Sequence, residues 1–453
     1  MSDPYTDIAV DFNKKTGALR HTLHCNGQAP TLHNRVFTKK DREFQEMNFY
    51  AARTHDWALV NPGQRMIDTH FVFPLMHLDA KDPENYYFAS SDAAIELCRN
   101  VGMKVFYRLG TSIEHSAGYV AEGHFNSLVP EDFDQYAEVL AGIVRHYTRG
   151  WANGFEYKDM EYWEIWNEPD LFGKMWCGTR EEFIRLFITV FKRLKSEFPE
   201  LKIGGPALTG LNLDYFGALL DACKEAGVAP DFISWHCYGN QVRATVGQAQ
   251  TARDFLDERG LTATQTILNE WHFITGGWEG VTSASSPLQR KHAATSPQGM
   301  HGIDSACYTL SCLCEFQKSP LDHAFYYGIG TGAWGYSNEY GYANKNNYAM
   351  RMFGRFLAEA QEKVETLTTD PLGTVFALGA IADDGSARMI VADYQGEKPV
   401  IEVEVAGMEN KKVSVVMMND QINPTPVDAV WDGSRLTLIK NSNGSAAFYV
   451  TFK

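Results

Sequence analysis

The chain has 453 residues and a formal net charge of -15, with 41 Lys and Arg residues against 56 Asp and Glu residues. This acidic balance argues against a nucleic-acid partner, because phosphate binding requires clustered basic side chains. Hydrophobic residues make up 44% and charged residues 21%, which is typical of a globular protein and excludes extensive disorder. Aromatic residues reach 13%, and such side chains fill a core or line a cleft for a ring-shaped ligand.

The cysteines and the first residues indicate a cellular compartment. The eight cysteines are spread along the chain without paired spacing, which is typical of a reduced intracellular protein. Residues 1–15 are polar and lack the apolar segment of a secretory signal. No apolar run approaches the roughly 18 residues of a membrane span. We therefore expect a cytoplasmic protein that does not cross a membrane.

Short β-rich runs alternate with amphipathic helices from about residue 18 to residue 360. The helices have recognisable ends; for example, a capping box at Thr179–Glu182 precedes apolar residues at helical spacing. Eight strand–helix units in succession favour a (β/α)8 barrel over an open doubly wound sheet. The predicted strands are Leu19–His24, Phe49–His55, Met103–Leu109, Tyr162–Trp166, Lys202–Gly205, Phe232–His236, Thr266–Asn269 and Ala324–Ile329.

The character of the sequence changes after about residue 362. Six short β-branched segments follow, and they are separated by Asp-Gly and Asn-Gly turns typical of antiparallel sheets. We predict an α/β fold in which residues 18–360 form a (β/α)8 TIM barrel and residues 361–453 form a C-terminal antiparallel β-sandwich module. The strand within residues 1–17 is expected to pair with this module.

Two predicted strand ends carry a glutamate preceded by an asparagine, at Glu168 and at Glu270. Because active sites of α/β barrels lie at the C-terminal ends of the strands, the two glutamates are expected to meet at the barrel mouth. Glycoside hydrolysis requires such a pair of carboxyl groups. The neighbouring indoles of Trp163, Trp166 and Trp271 are expected to desolvate one carboxyl and raise its pKa. A single glutamate at a strand end is usually only solvated or ion-paired, whereas two in aromatic surroundings favour catalysis.

The segment Trp163–Pro169 resembles the acid/base motif of clan A glycoside hydrolases, which are retaining (β/α)8 enzymes. Within the clan the chain most resembles glycoside hydrolase family 39, which contains β-xylosidases and α-L-iduronidases, and the resemblance covers most of the barrel. It implies that Glu168 is the acid/base and Glu270 the nucleophile. It also implies that Asn167 binds the substrate 2-hydroxyl, a contact that strengthens in the transition state.

The resemblance also implies contacts between other strand-end residues and the sugar. The Arg53-Thr-His55 segment corresponds to an Arg-x-His segment whose histidine binds sugar, and His236-Cys-Tyr238 corresponds to a His-x-Tyr segment. Tyr238 is expected to hydrogen-bond Glu270. Trp334 and Glu339 correspond to a platform aromatic and a hydroxyl-binding carboxylate, and His115 is a further candidate after the third strand.

Each of these residues has an ordinary structural alternative. Arg53 could form only an ion pair with Glu270, His55 and His115 could be core histidines, and Trp334 could be a packed rim residue. The segment around Glu270 also departs from many relatives, since it carries Asn269 rather than Thr. These departures leave the identity of the sugar open.

No motif in the sequence indicates a cofactor or a metal site. Gly328–Gly332 resembles a nucleotide-binding loop but lacks the strand–turn–helix context. Cys307, Cys312 and Cys314 lack the spacing of a zinc site and are expected to be buried thiols. We therefore predict a small-molecule carbohydrate as the partner, without cofactor, metal, nucleic acid or membrane; the sequence leaves a homo-oligomer open.

The predicted function is that of a retaining, exo-acting, β-xylosidase-like glycosidase. Exo action is expected because an intracellular enzyme meets only small imported sugars. One alternative is an endo-acting clan A β-glycanase of the glucanase or mannanase type, and another is a carbohydrate-binding barrel without activity. A retaining mechanism predicts carboxyl groups about 5–5.5 Å apart, whereas inversion requires about 6.5–9.5 Å.

Overall fold

A computed structural model describes residues 6–28, 30, 41–56, 67–116, 126–278, 286–331, 333–338, 341–370, 372–441 and 443–453. The first strand, β1 (Ile8–Ala18), precedes the barrel in the chain but belongs to the C-terminal sheet. Eight parallel strands then form a closed barrel in chain order. They are β2 (Cys25–Asn26), β3 (Ala51–Arg53), β4 (Lys104–Leu109), β5 (Tyr162–Ile165), β6 (Lys202–Leu208), β7 (Phe232–Gly239), β8 (Gln265–Phe273) and β9 (His323–Tyr326).

Helices follow the barrel strands in the order expected of a (β/α)8 fold. A principal helix comes after each strand, and two shorter helices, α2 and α8, lie within the longer connections. The helices are α1 (Asp41–Met47), α2 (Thr69–Val72), α3 (Ala89–Asn100), α4 (Phe133–Arg149), α5 (Arg180–Glu197), α6 (Leu213–Glu225), α7 (Val242–Glu258), α8 (Pro287–Thr295), α9 (Ile303–Phe316) and α10 (Lys345–Glu359). None of the helices in the described ranges is long and apolar enough to cross a membrane.

The first barrel strand was misplaced by the sequence prediction. Within Leu19–His24, residues His21–Leu23 form a short 3-10 helix, and the barrel strand begins only at Cys25. Leu19 and Leu23 are both buried, and their four-residue spacing suits a helical turn as well as a strand. Short apolar runs therefore do not distinguish the two states by periodicity alone.

The C-terminal module is a single ten-stranded sheet that curls around its own apolar core. Curling brings β1 close to the last strand, since the rings of Phe12 and Phe452 lie 5.3 Å apart. A separate parallel pair, β10 (Ile329–Thr331) and β11 (Gly335–Ser337), follows the last barrel strand. The remaining strands are β12 (Glu362–Thr368), β13 (Val375–Ile381), β14 (Ala387–Asp393), β15 (Val400–Ala406), β16 (Val413–Met418), β17 (Thr425–Val427), β18 (Val430–Trp431), β19 (Arg435–Ile439) and β20 (Ala446–Phe452).

The module is built from both parts of the chain that flank the barrel. Strand β1 pairs with β12 in antiparallel orientation and with β15 in parallel orientation, so it lies inside the sheet. The predicted fold class, a TIM barrel followed by an antiparallel β module, is confirmed. Polar contacts fix the module to the barrel: Ser445 donates a 2.6 Å hydrogen bond to Asp304, and Tyr394 donates a 2.9 Å bond to the carbonyl of Asn240.

A buried ion pair lies within the module. The Nζ atom of Lys440 donates to Asp393 at 2.5 Å and to the carbonyl of Gly396 at 2.6 Å. Both charged side chains are at most 1% exposed. Burial raises the pKa of Asp393 despite the neighbouring ammonium group. The pair is therefore a position where removal of one partner leaves an uncompensated buried charge.

Candidate active site

The buried guanidinium of Arg53 connects three acidic or amide side chains at the barrel mouth. Its Nη1 atom donates a 2.7 Å hydrogen bond to Oε1 of Glu270, and its Nη2 atom donates a 2.8 Å bond to Oδ1 of Asn167. The Nε atom donates a 2.7 Å bond to Glu164, which lies on β5. The planar fork of arginine, on β3, thus fixes groups from β5 and β8 relative to one another.

Glu270 is held as a carboxylate by these contacts. Tyr238, on the neighbouring strand β7, donates a 2.6 Å hydrogen bond to Oε2 of Glu270. Burial favours the neutral carboxyl, but the positive charges of His236 and Arg53 outweigh burial and lower the pKa of Glu270 to about 2. His55 and the hydrogen bond from Tyr238 act in the same direction. At neutral pH the group is therefore ionised and oriented, as a nucleophile must be.

Glu168 lies opposite, on the turn that follows β5. Its Oε1 atom lies 2.9 Å from Nδ1 of His236, and its side chain is 15% exposed. Oxygens of Glu168 and Glu270 and a nitrogen of His236 all lie within 4.8 Å of one another. Glu168 and Trp166 both have positive φ angles, 49° and 74°, which are unusual for side chains of this size and cluster at functional sites.

His236 contacts both carboxylates through one nitrogen. Its Nδ1 atom lies 3.4 Å from Oε2 of Glu270 as well as 2.9 Å from Glu168. Burial opposes the imidazolium form, but the charges of Glu270 and Glu168 outweigh burial and raise the pKa of His236 above its ordinary value. The imidazole is fully buried, so it influences the site through its contacts with the two carboxylates.

An aromatic wall stands beside Glu270, formed by Tyr238, His272, Trp278, Tyr327 and Trp334. The ring of Trp334 meets those of Tyr238, His272 and Tyr327 nearly edge to face, at 5.5, 5.0 and 5.7 Å between centroids. Trp278 packs against Tyr238 at 4.9 Å and is 52% exposed. Apolar ring faces at this position suit a sugar ring, and an exposed indole at the rim is otherwise costly.

The indoles predicted to flank the glutamates point elsewhere. Trp163, Trp166 and Trp271 are each at most 1% exposed and pack in the main hydrophobic core. Trp271, for example, meets Phe316 of α9 edge to face at 5.2 Å. Side chains alternate along a strand, so Trp163 and Trp271, which are direct neighbours of inward glutamates, point outward to the helices. Trp166 lies just beyond β5 with a φ angle of 74°, and its ring packs against Trp176 and Phe183. The expectation that these three indoles desolvate a carboxyl was therefore wrong.

The other predicted binding residues are not all at the mouth. His55 lies there: its Nε2 atom is 3.2 Å from the hydroxyl of Tyr327, and its Nδ1 atom is 3.9 Å from Glu270. His115 is fully buried, and its Nδ1 atom lies 2.9 Å from Asp68; direct contact with a sugar stays a prediction. Glu339 lies outside the described residues.

Comparison with known proteins identifies the family to which the chain belongs. A sequence model described as "Glycosyl hydrolases family 39" matches residues 8–267, which is more than half of the chain. The chain belongs to glycosyl hydrolase family 39. Membership implies a carbohydrate substrate and agrees with the resemblance seen in the Trp163–Pro169 segment.

Relatives of this family 39 chain include characterised enzymes. A β-xylosidase from Caldicellulosiruptor saccharolyticus is 31% identical over 157 residues, which cover 34% of this chain and 31% of the relative. A β-xylosidase from Geobacillus stearothermophilus is 29% identical over 113 residues, covering 25% and 22%. The matched segments thus span less than a third of either relative.

Solved structures share the whole fold with the family 39 chain. A glucosidase from Croceicoccus marinus has a TM-score of 0.78 at 20% identity and covers 100% of both chains. A GH39 β-xylosidase from Caulobacter crescentus has a TM-score of 0.70 at 15% identity and covers 98% and 99%. At these identities the similarity establishes the architecture of barrel and module.

Within the described ranges of the family 39 chain, two groups of side chains have the composition of a metal site. Glu168, His236 and Glu270 form one; Asp56, Asp68 and His115 form the other. In the second, both Asp56 oxygens accept backbone N–H bonds of 2.7 Å, and Arg108 donates to Asp68. Arginine thus supplies positive charge in the second group, and Arg53 does so in the first.

Sequence reasoning missed three residues at the mouth: Glu164, Trp278 and Tyr327. Glu164 could have been predicted, because it lies between two apolar neighbours on β5 and therefore points into the barrel. A charged side chain at such a position is not explained by contact with solvent. Trp278 and Tyr327 lie in connections after β8 and β9, where sequence alone gives no direction to a side chain.

Proposed function

We propose that the protein is a retaining, exo-acting glycosidase that hydrolyses small glycosides or oligosaccharides, with β-xylosidase-like specificity. The observation that supports this most is the pair of glutamates at the ends of β5 and β8. Their nearest oxygens lie within 4.8 Å. This spacing is closer to the roughly 5–5.5 Å between the carboxyl groups of retaining enzymes than to the roughly 6.5–9.5 Å of inverting ones.

In the first step, Glu168 donates its proton to the glycosidic oxygen while an oxygen of Glu270 bonds to the anomeric carbon. The bond between that carbon and the leaving oxygen breaks, and a glycosyl ester on Glu270 results. In the second step, water attacks the same carbon and gives a proton to Glu168. The ester bond breaks and Glu270 is restored as a carboxylate.

The neighbouring residues prepare Glu270 for attack. Arg53 and Tyr238 each donate to one of its oxygens, which orients the carboxylate and keeps it ionised. Because Arg53 donates to Oδ1 of Asn167, the amide nitrogen is directed away from the guanidinium. It can then donate to the substrate 2-hydroxyl as charge develops in the transition state.

An endo-acting β-glycanase is the second candidate, because a cleft of about 1000 Å³ opens beside the mouth. Gly110, Leu128, Asp132 and Trp166 are among the residues that line the cleft, whereas Glu168 and Glu270 are not. Product profiles separate the candidates: exo action releases one sugar unit from a chain end, whereas endo action releases mixed oligosaccharides.

The function is tested with a panel of nitrophenyl glycosides that includes β-xylosides, β-glucosides, β-galactosides and α-L-arabinosides. Proton NMR of the first product is expected to show the anomer of the substrate. Glu270→Ala is expected to lose turnover and to regain it with azide, giving a glycosyl azide of inverted configuration. A first product of inverted configuration from the unmodified protein would refute retention, and hydrolysis of any glycoside excludes a purely binding role.

A further inference from the structure

Glu164, on β5, is a buried carboxylate that contacts three other strands of the barrel. Its Oε1 atom accepts 2.6 and 2.7 Å hydrogen bonds from Ser234 on β7 and Asn269 on β8. Its Oε2 atom accepts a 2.7 Å bond from Nε of Arg53 on β3. The side chain is 0% exposed, so its charge is compensated by these protein groups rather than by bulk solvent.

These contacts determine what Arg53 can do. Because Glu164 takes the Nε–H group, the two Nη atoms of the planar guanidinium point in fixed directions. One meets Glu270 and the other meets Asn167. Glu164 also accepts a hydrogen bond from Asn269, the residue immediately before Glu270. Both the proposed nucleophile and the proposed 2-hydroxyl ligand are thus positioned through Glu164.

Glu164 also compensates charge. Arg53 carries one positive charge and is shared between two carboxylates, so the negative charge of Glu164 offsets part of its effect on Glu270. Several other charged or titratable groups face this region from the packed strands and loops. They are His55 after β3, Arg108 on β4, Glu168 after β5, His236 and Tyr238 on β7, and Glu270 on β8.

Resting on the proposed function, we propose that Glu164 is a positioning residue whose buried charge offsets that of Arg53 and so tunes the proton affinities of the catalytic groups. Without that charge, the full positive charge of Arg53 would act on Glu270 and His236. Arg53 already opposes protonation of His236, and this effect would increase. The carboxylate of Glu270 would become a weaker base and a poorer nucleophile.

The test compares three variants. Glu164→Gln keeps the shape and removes the charge, Glu164→Asp keeps the charge and shortens the side chain, and Glu161→Gln is the control. Glu161 is exposed and precedes the same strand. In Glu164→Gln the alkaline limb of the kcat/KM profile is expected to move to lower pH by about half a unit or more. In Glu164→Asp the limb is expected to stay in place although kcat falls, and Glu161→Gln is expected to match the unmodified protein.

A second readout does not depend on activity. NMR of [13C]histidine-labelled protein, with His236→Asn for assignment, follows the titration of the imidazole directly. Glu164→Gln is expected to lower the midpoint of His236 by a similar amount. If the unmodified protein hydrolyses no glycoside but this shift occurs, the proposed function fails and the electrostatic role stands.

Unchanged midpoints in both readouts, with or without lost turnover, would overturn the inference and leave Glu164 a purely structural residue. If Glu164→Gln does not fold, the same coupling is measured on an Arg53→Gln background. Arg53→Gln should raise the His236 midpoint, and adding Glu164→Gln should lower it again. A midpoint that the second substitution does not move would equally refute the proposal.

Discussion

Tyr238 donates a 2.6 Å hydrogen bond to Oε2 of Glu270 from the adjacent barrel strand. Removal of the hydroxyl by Tyr238→Phe leaves this carboxylate oxygen with one donor fewer. A hydrogen bond to a charged group contributes about 1.5–3 kcal/mol, so kcat/KM is expected to fall about 10- to 100-fold. Steady-state kinetics on the preferred nitrophenyl glycoside measures this loss. Tyr342→Phe, at a 71% exposed residue, serves as the control and should be silent.

Glu168→Ala separates the acid role from the nucleophilic role. General acid catalysis contributes about 10²–10⁴-fold, and a leaving group of low pKa does not require it. Unactivated disaccharides are therefore expected to lose that factor, whereas dinitrophenyl glycosides should form the glycosyl ester almost as fast as before. Burst kinetics with the two substrate types tests this, with Glu161→Ala as control. An equal loss on both substrates would exclude Glu168 as the acid.

The aromatic wall is expected to bind substrate rather than to act in the chemical step. Trp278→Ala and Trp334→Ala should each raise KM about 10-fold, which corresponds to about 1.4 kcal/mol, with a smaller change in kcat. Tyr87→Ala is the control, since Tyr87 is 60% exposed, which is similar to the 52% of Trp278. If Trp278 contacts the leaving group, its effect should differ between a nitrophenyl xyloside and xylobiose.

The low pKa of Glu270 predicts a stability change in acid. The unfolded chain protonates this group near its ordinary pKa of 4.5, whereas the folded protein keeps it ionised down to about pH 2. The unfolded state thus takes up the proton first, and the contribution of Glu270 to the free energy of unfolding is lost as pH falls from about 4.5 to 2.

This contribution amounts to at most about 3 kcal/mol. Denaturant unfolding between pH 6 and pH 3 should therefore show a steeper fall for the unmodified protein than for Glu270→Gln, in which nothing titrates at this position. Parallel curves for the two proteins would contradict the lowered pKa.

In the β module, Lys440→Met should be severely destabilising. It leaves Asp393 buried without its partner, which costs about 3–5 kcal/mol. The double variant Lys440→Met/Asp393→Leu removes both charges and should regain most of the loss. Thermal unfolding measures the cycle, and Lys412→Met, at an exposed lysine, is the control. A double variant no more stable than Lys440→Met would show that the pair is a net source of stability.

The sequence was sufficient for the barrel and for the two strand ends because each depends on local pattern. Capping residues such as Thr179 and the period of apolar residues mark helices, and strand ends in a barrel meet at one face. The directions of side chains were harder to predict from the sequence. The indole of Trp271 follows the strand alternation away from Glu270, and His115 turns toward Asp68 because a buried carboxylate requires partners.

The residues that sequence reasoning missed act through tertiary contacts. Arg53 was expected beside Glu270, but its additional hydrogen bonds to Glu164 and Asn167 depend on the closure of the barrel. Trp278 is placed by packing on Tyr238, which lies on another strand. Contacts between segments far apart in the chain leave no periodic signal, so a pattern within one segment could not reveal them.

The place of β1 inside the C-terminal sheet has a consequence for biosynthesis. Lys14 and Glu365, which pair across β1 and β12, are 351 positions apart. At about 5–20 residues per second, β1 leaves the ribosome roughly 20–70 s before its neighbours exist. The apolar side chains of Ile8, Val10 and Phe12 remain without their final environment during that time. The barrel can close during translation, whereas the module requires strands that are made after the barrel, so the module assembles later than the barrel.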